Sequence, residues 1–150
     1  MEIERKFLIQ HIPDHLGQYP CLEIQQAYLS TNPVVRIRRQ NTEYYLTYKS
    51  AGILAREEYN LPLTKESYEQ LKSKADGIVI TKKRYCIPYL SCTIELDLFE
   101  GALQDLILAE VEFPSRQAAL DFVPPRWFAK EVTYDPKYQN SYLALHTQCF

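Results

Sequence analysis

A chain of 150 residues, 46% of them hydrophobic, can bury a sizeable core as one domain spanning residues 1–150, and it carries no apolar run of membrane-spanning length. Its formal net charge of -2 argues against nucleic acid as a partner, which calls for a basic face. Cys21, Cys86, Cys92 and Cys149 form no CxxC pair and no zinc-site spacing with a histidine. They read as reduced thiols and, with an acidic Met1-Glu2 start that lacks the basic stretch of a secretory leader, predict a cytoplasmic protein with no membrane association.

In chain order, strand-like runs rich in Ile, Val, Leu and Tyr are expected at residues 2–10, 21–30, 34–40, 43–49, 54–63, 78–88, 91–99, 106–113 and 127–133. Gln40-Asn41-Thr42 and Ser50-Ala51-Gly52 read as hairpin turns. Three helices are expected among these strands. Thr64 caps one that places Tyr68, Leu71 and Ala75 on one side and ends at Gly77. Ser115 caps a short second one through Ala118, Ala119 and Phe122, stopped by Pro124-Pro125. Asp135-Pro136 opens a third over residues 137–146. His11 and His15 flank Pro13 in a connecting loop and read as no metal pair, and His146 reads as structural. An antiparallel α+β domain follows.

The strands alternate in an informative way. Successive side chains leave a strand on opposite faces, so Glu2, Glu4 and Lys6 share a face opposite Ile3, Arg5 and Phe7. Arg36 with Arg38, Lys82 with Arg84, Glu95 with Asp97, and Glu110 with Glu112 repeat the pattern, while Lys49 and Arg56 stand on like faces of their own strands. Alternation by itself describes any half-exposed sheet. Here the signs are sorted by strand, with basic residues at 36/38, 49 and 82/84 and acidic ones at 2/4, 95/97 and 110/112. Like charges facing one another across a solvated sheet destabilise it. Helices with apolar faces must also cover the apolar side, which turns the charged side inward if the sheet closes on itself. Buried unpaired charges cost several kcal/mol each. The compensation that suits both signs is a polyphosphate gripped by arginine and lysine, with a divalent cation held by carboxylates.

Glu2-Ile3-Glu4-Arg5-Lys6 resembles the ExExK signature of the CYTH superfamily, the triphosphate tunnel metalloenzymes. Arg36-Ile37-Arg38, Lys49, Arg56-Glu57-Glu58, Lys82-Lys83-Arg84-Tyr85, the run Glu95 to Gly101, and Ala109 to Phe113 are similar to its later motifs in the same order. Glu131-Val132-Thr133 and the run Tyr138 to Ala144 resemble its C-terminal signature. The resemblance implies a closed eight-stranded antiparallel β-barrel, a tunnel with a charged interior and helices packed outside. It also implies Mg²⁺- or Mn²⁺-dependent hydrolysis of the terminal phosphate of a triphosphate. The compact length favours the short bacterial type and inorganic tripolyphosphate as substrate. A nucleotide or thiamine triphosphatase, a class IV adenylyl cyclase and a non-catalytic polyphosphate-binding module are the alternatives.

Under that resemblance Glu2, Glu4, Glu58, Asp97, Glu110 and Glu112 are the metal-ligand candidates, with Glu58 and Asp97 as likely to partner the basic residues, and Glu95 organises a salt bridge. Arg36, Arg38, Lys49, Arg56, Lys82 and Arg84 are assigned to phosphate oxygens. Lys6, Glu4 and Tyr28 are the catalytic candidates, with Tyr28 open to a packing role. Asn60 departs from the pattern, standing where many members carry a second carboxylate after Glu58. Homodimerisation is left open.

Overall fold

A computed structural model describes residues 1–52 and 54–146. Ten strands alternate with short helical pieces: β1 (Glu2–Ile9), β2 (Cys21–Thr31), β3 (Val34–Gln40), β4 (Glu43–Lys49), β5 (Ala55–Arg56), β6 (Glu58–Pro62), α1 (Lys65–Lys72), β7 (Asp76–Tyr89), β8 (Cys92–Phe99), β9 (Ile107–Glu112), α2 (Arg116–Asp121), β10 (Phe128–Glu131) and α3 (Asn140–Leu145). The sheet runs β10-β1-β9-β8-β7-β2-β3-β4-β6, and β5 returns to pair with β1. Every pairing is antiparallel.

The return of β5 closes the sheet. Residues 54–63 are expected as one strand, and they break at Glu57, which exchanges hydrogen bonds with Ser50 (Glu57 N to Ser50 Oγ 2.9 Å, Ser50 N to Glu57 O 3.0 Å). The first piece sets Arg56 opposite Glu2 and Ala55 opposite Ile3, whereas the second pairs with β4. One interrupted segment thus bridges the two ends of the sheet into a nearly closed barrel. With β5 and β6 counted as a single stave the ring has eight, and β10 is an additional strand along the rest of the β1 edge.

The barrel is inside out. Ile3, Phe7, Ile94, Leu96, Ala109 and Val111 face outward into a core covered by α2 and β10, and Ala27 and Ile37 pack under Tyr68 of α1. Thr64 caps α1 through a hydrogen bond to Ser67 N, as expected, and Ser115 caps α2 through Ala118 N. Gly77 does not end α1, which stops at Lys72. It lies in β7 at φ +70°, where a Cβ would sit 2.1 Å from the Ala144 carbonyl oxygen.

The third helix departs most from expectation. Asp135 caps a single 3-10 turn over Pro136–Tyr138, and the α-helix starts only at Asn140. Instead of packing outside, α3 sets Leu143 and Ala144 against Leu8, Tyr28, Val34, Ile80, Phe99 and Leu108. These share the inward faces of their strands with Lys6, Arg36, Lys82, Asp97 and Glu110. The helix therefore seals one end of the tunnel with apolar contacts and leaves the charged part open.

Candidate active site

The open part of the tunnel is a cavity of about 320 Å³. Glu2, Glu4, Lys6, Tyr28, Arg36, Arg38, Lys49, Arg56, Glu58, Arg84, Glu110 and Glu112 all line it. Of the residues singled out from the sequence, Lys82 and Asp97 do not. They lie beneath the wall with no solvent exposure, their charged groups 2.7 Å apart. Asp97 also receives both arms of the Arg84 guanidinium, at 2.7 and 2.9 Å. With its oxygens occupied this way, Asp97 is a salt-bridge organiser in this structure, and Lys82 has no face on the lumen. Glu95, read as an organiser, does pair with Arg84 (3.2 Å), and it also reaches the cavity.

Four of the remaining carboxylates, Glu2, Glu4, Glu58 and Glu110, are engaged by cations. Lys49 Nζ bridges Glu2 (2.8 Å) and Glu58 (3.3 Å). Arg56 lies 3.6 Å from Glu4 and 4.0 Å from Glu2, and Lys6 lies 3.3 Å from Glu110. Lys6 additionally donates to the Tyr138 carbonyl oxygen at 2.9 Å. Burial, and then the neighbouring Glu4 carboxylate, push the Glu2 carboxyl up to about 8. Burial and the nearby Glu58 and Glu4 also raise Glu112. Burial works in the same direction on Glu58, but the hydrogen bond shared with Glu2, the Lys49 ammonium and Asn60 bring it down to about 2. Glu110 is held well below the ordinary range, because Lys6, Arg84, Lys82 and Lys49 together outweigh its burial.

Arg36 and Arg38 differ from the other cations, because their hydrogen bonds go to neutral groups. Arg36 Nη2 donates to Thr47 Oγ1 (3.2 Å), and its buried Nε makes no hydrogen bond. Arg38 donates twice to Gln26 Oε1, at 2.9 and 2.6 Å. Burial, Arg36 and Arg84 push Arg38 down to about 9, so it stays charged at neutral pH. These two guanidiniums form a cationic wall opposite the carboxylates. The walls are linked by Thr47, which donates to Asn60 Oδ1 (2.6 Å), and by Asn60 Nδ2, which donates to Glu58 Oε1 (3.1 Å). A carboxylate at position 60 has no proton to give Glu58, so the amide supports the neighbouring anion.

Sequence reasoning passed over Gln26, Thr47 and Asn140, which hold the arginines and Lys82. Gln26 and Thr47 share the inward parity of Tyr28 and Lys49, and that parity is the signal that finds them. Asn140 lies inside the C-terminal signature but enters the tunnel only because α3 does.

The donor set suits a hard divalent cation, since it is all carboxylate, gathered on one wall of the lumen. Among the described residues, no three His, Cys, Asp or Glu side chains are gathered to hold an ion by themselves.

A nearly closed antiparallel barrel, charged within and apolar without, with an arginine wall facing a carboxylate wall, defines the class of tunnel proteins built around a polyanion. The CYTH domain model matches residues 1–124, and the chain belongs to the CYTH family. It is 43% identical over 148 residues to an inorganic triphosphatase of Nitrosomonas europaea, covering 96% of this chain and 97% of that protein. An inorganic triphosphatase of Acetivibrio thermocellus is 36% identical over 146 residues, covering 95% and 92%. A crystal structure of an inorganic triphosphatase superposes with a TM-score of 0.71 at 41% identity, covering 97% of this chain and 95% of that one.

Proposed function

We propose that this protein is a divalent-metal-dependent inorganic triphosphatase that hydrolyses the terminal phosphate of tripolyphosphate in the cytoplasm, through one domain spanning the chain. The observation that carries this reading is the pair Arg36 and Arg38, tunnel guanidiniums whose hydrogen bonds go to neutral groups. Such charges are costly until a polyanion neutralises them. Near-full-length identity to two inorganic triphosphatases supports the same substrate.

Arg36 and Arg38 bind the phosphate chain, and Lys49 and Arg56 add to its grip as they turn from their carboxylates, while Arg84 lines the lumen held by Asp97. Glu2, Glu4, Glu110 and Glu112, with Glu58 beside them, hold Mg²⁺ or Mn²⁺. The bound cation supplies neutralisation of the charge that develops on the phosphate oxygens. Lys6, fixed between Glu110 and the Tyr138 carbonyl, faces the terminal phosphate with Tyr28, and a carboxylate of the acidic wall orients the attacking water. The protein's contribution is positioning and electrostatics, with no covalent enzyme intermediate.

The test is orthophosphate release from tripolyphosphate, ATP and thiamine triphosphate, each with Mg²⁺, Mn²⁺ or EDTA. Metal-dependent release that is fastest from tripolyphosphate is expected. Tight tripolyphosphate binding without turnover of any of the three would overturn the enzymatic reading, and faster release from ATP would overturn the substrate.

A further inference from the structure

Arg38 meets a neutral amide where Arg84 meets a carboxylate, and a second amide links that one to the buried Lys82. Gln26 is fully buried, and its Oε1 accepts both Nε and Nη2 of Arg38. Its Nε2 faces the Tyr28 hydroxyl (3.1 Å) and Asn140 Oδ1 (3.1 Å). The same Asn140 oxygen accepts from Lys82 Nζ at 3.0 Å. Guanidinium and ammonium can only donate, so each end of this chain dictates which way its amide must turn. The order Arg38–Gln26–Asn140–Lys82 is therefore forced by chemistry.

We infer that Gln26 and Asn140 are positioning residues for the triphosphate, a neutral relay that aims the Arg38 guanidinium into the lumen without neutralising it. This rests on the triphosphate reading given above. Arg84 shows the alternative within the same tunnel: its fork closes on the Asp97 carboxylate at 2.7 and 2.9 Å, and that charge is spent on the protein. Gln26 offers Arg38 the same two-bond fork from a single uncharged oxygen. Orientation is fixed, while the positive charge and the third nitrogen stay available to a phosphate. Asn140 comes from the first turn of α3, so the helix that seals the tunnel end also locks the amide that aims the arginine.

Gln26→Glu keeps the shape of the side chain and turns the neutral fork into an ion pair. For this variant KM with Mg²⁺, and Kd for tripolyphosphate by calorimetry in EDTA, are expected to rise roughly tenfold to a hundredfold, about one charge-assisted hydrogen bond, with kcat within about threefold. Gln26→Leu is expected to weaken binding in the native background and to add nothing in an Arg38→Leu background. Asn140→Ala, which leaves the fork in place, is expected to raise KM by a smaller factor and serves as the second variant if a Gln26 replacement does not fold. Unchanged KM and Kd in Gln26→Glu, or additive effects of Gln26→Leu and Arg38→Leu, would overturn the relay. Wild-type protein that binds tripolyphosphate without hydrolysing it would sink the enzymatic reading, while the Kd comparison would still decide the relay. Wild-type protein that does not bind tripolyphosphate would sink both.

Discussion

Lys82 and Asp97 meet at 2.7 Å with neither side chain exposed to solvent. Burial pushes the Lys82 ammonium down to about 7 against the pull of Asp97, with Arg84 and Arg38 adding to the fall. Asp97 also takes the Arg84 fork, so one carboxylate holds two cations of the tunnel wall in place. Breaking a buried pair by removing one partner typically costs about 3–5 kcal/mol, because the remaining charge has no water to turn to. Asp97→Asn should therefore lower unfolding free energy by about that much in urea titrations. A loss below about 1 kcal/mol would place Asp97 outside the structural core of the tunnel.

Glu4→Gln is expected to reduce metal-dependent turnover by roughly a hundredfold or more while leaving the melting temperature within a few degrees of wild type. Glu4 lies 3.6 Å from Arg56 and lines the lumen, so its loss removes a carboxylate proposed to hold the metal without opening the apolar core. Near-native phosphate release by this variant would remove Glu4 from the metal site.

The metal-free protein should lose stability as pH rises from about 5 to about 8. Glu2 is protonated in the folded state up to about 8, whereas an unfolded glutamate has lost its proton above its model value of 4.5. The folded state thus holds more protons across that window, and stability falls with pH. Glu58, brought down to about 2, acts in the opposite sense: its contribution is present above 4.5 and lost as pH falls toward 2. Thermal melts in EDTA at successive pH values check both arms. In Glu2→Gln the decline between 5 and 8 should flatten, and an equally steep decline would assign it to another group.

Arg5→Lys is expected to cost about 1–2 kcal/mol of stability with turnover unchanged. Arg5 points away from the lumen and makes a fork with Glu131 (2.8 and 2.6 Å) and a bond to the Ala119 carbonyl oxygen (2.8 Å), near the Phe7 and Phe122 rings. It ties α2 and β10 to β1, and lysine cannot reproduce the fork. Denaturant unfolding set beside a phosphate-release assay separates the two effects, and a lost activity at native stability would contradict this assignment.

Much of the barrel was legible because strand parity is a local property. Glu2, Glu4 and Lys6 had to share a face once residues 2–10 were extended, and the same held for Arg36 with Arg38 and Glu110 with Glu112. The break at Glu57 was not legible. It depends on hydrogen bonds with Ser50, and on β1 offering an edge that lies far away in sequence. The inward placement of α3 was hidden for a related reason. Its Leu143 and Ala144 look like any outer helix face until the barrel end that receives them has formed.

The amino-acid order by itself determined that charges would be gathered on one side of the sheet and sorted by sign, since both follow from alternation and residue type. Only the tertiary structure decided which charges are spent and which are free. Lys82 and Asp97 became a buried pair, Arg84 was claimed by Asp97, and Arg38 was left to a neutral amide. Those outcomes turn on partners such as Gln26 and Asn140, 114 positions apart. Hydrogen-bond geometry acts over about 3 Å, and no pattern within a single strand can show which distant donor will arrive there.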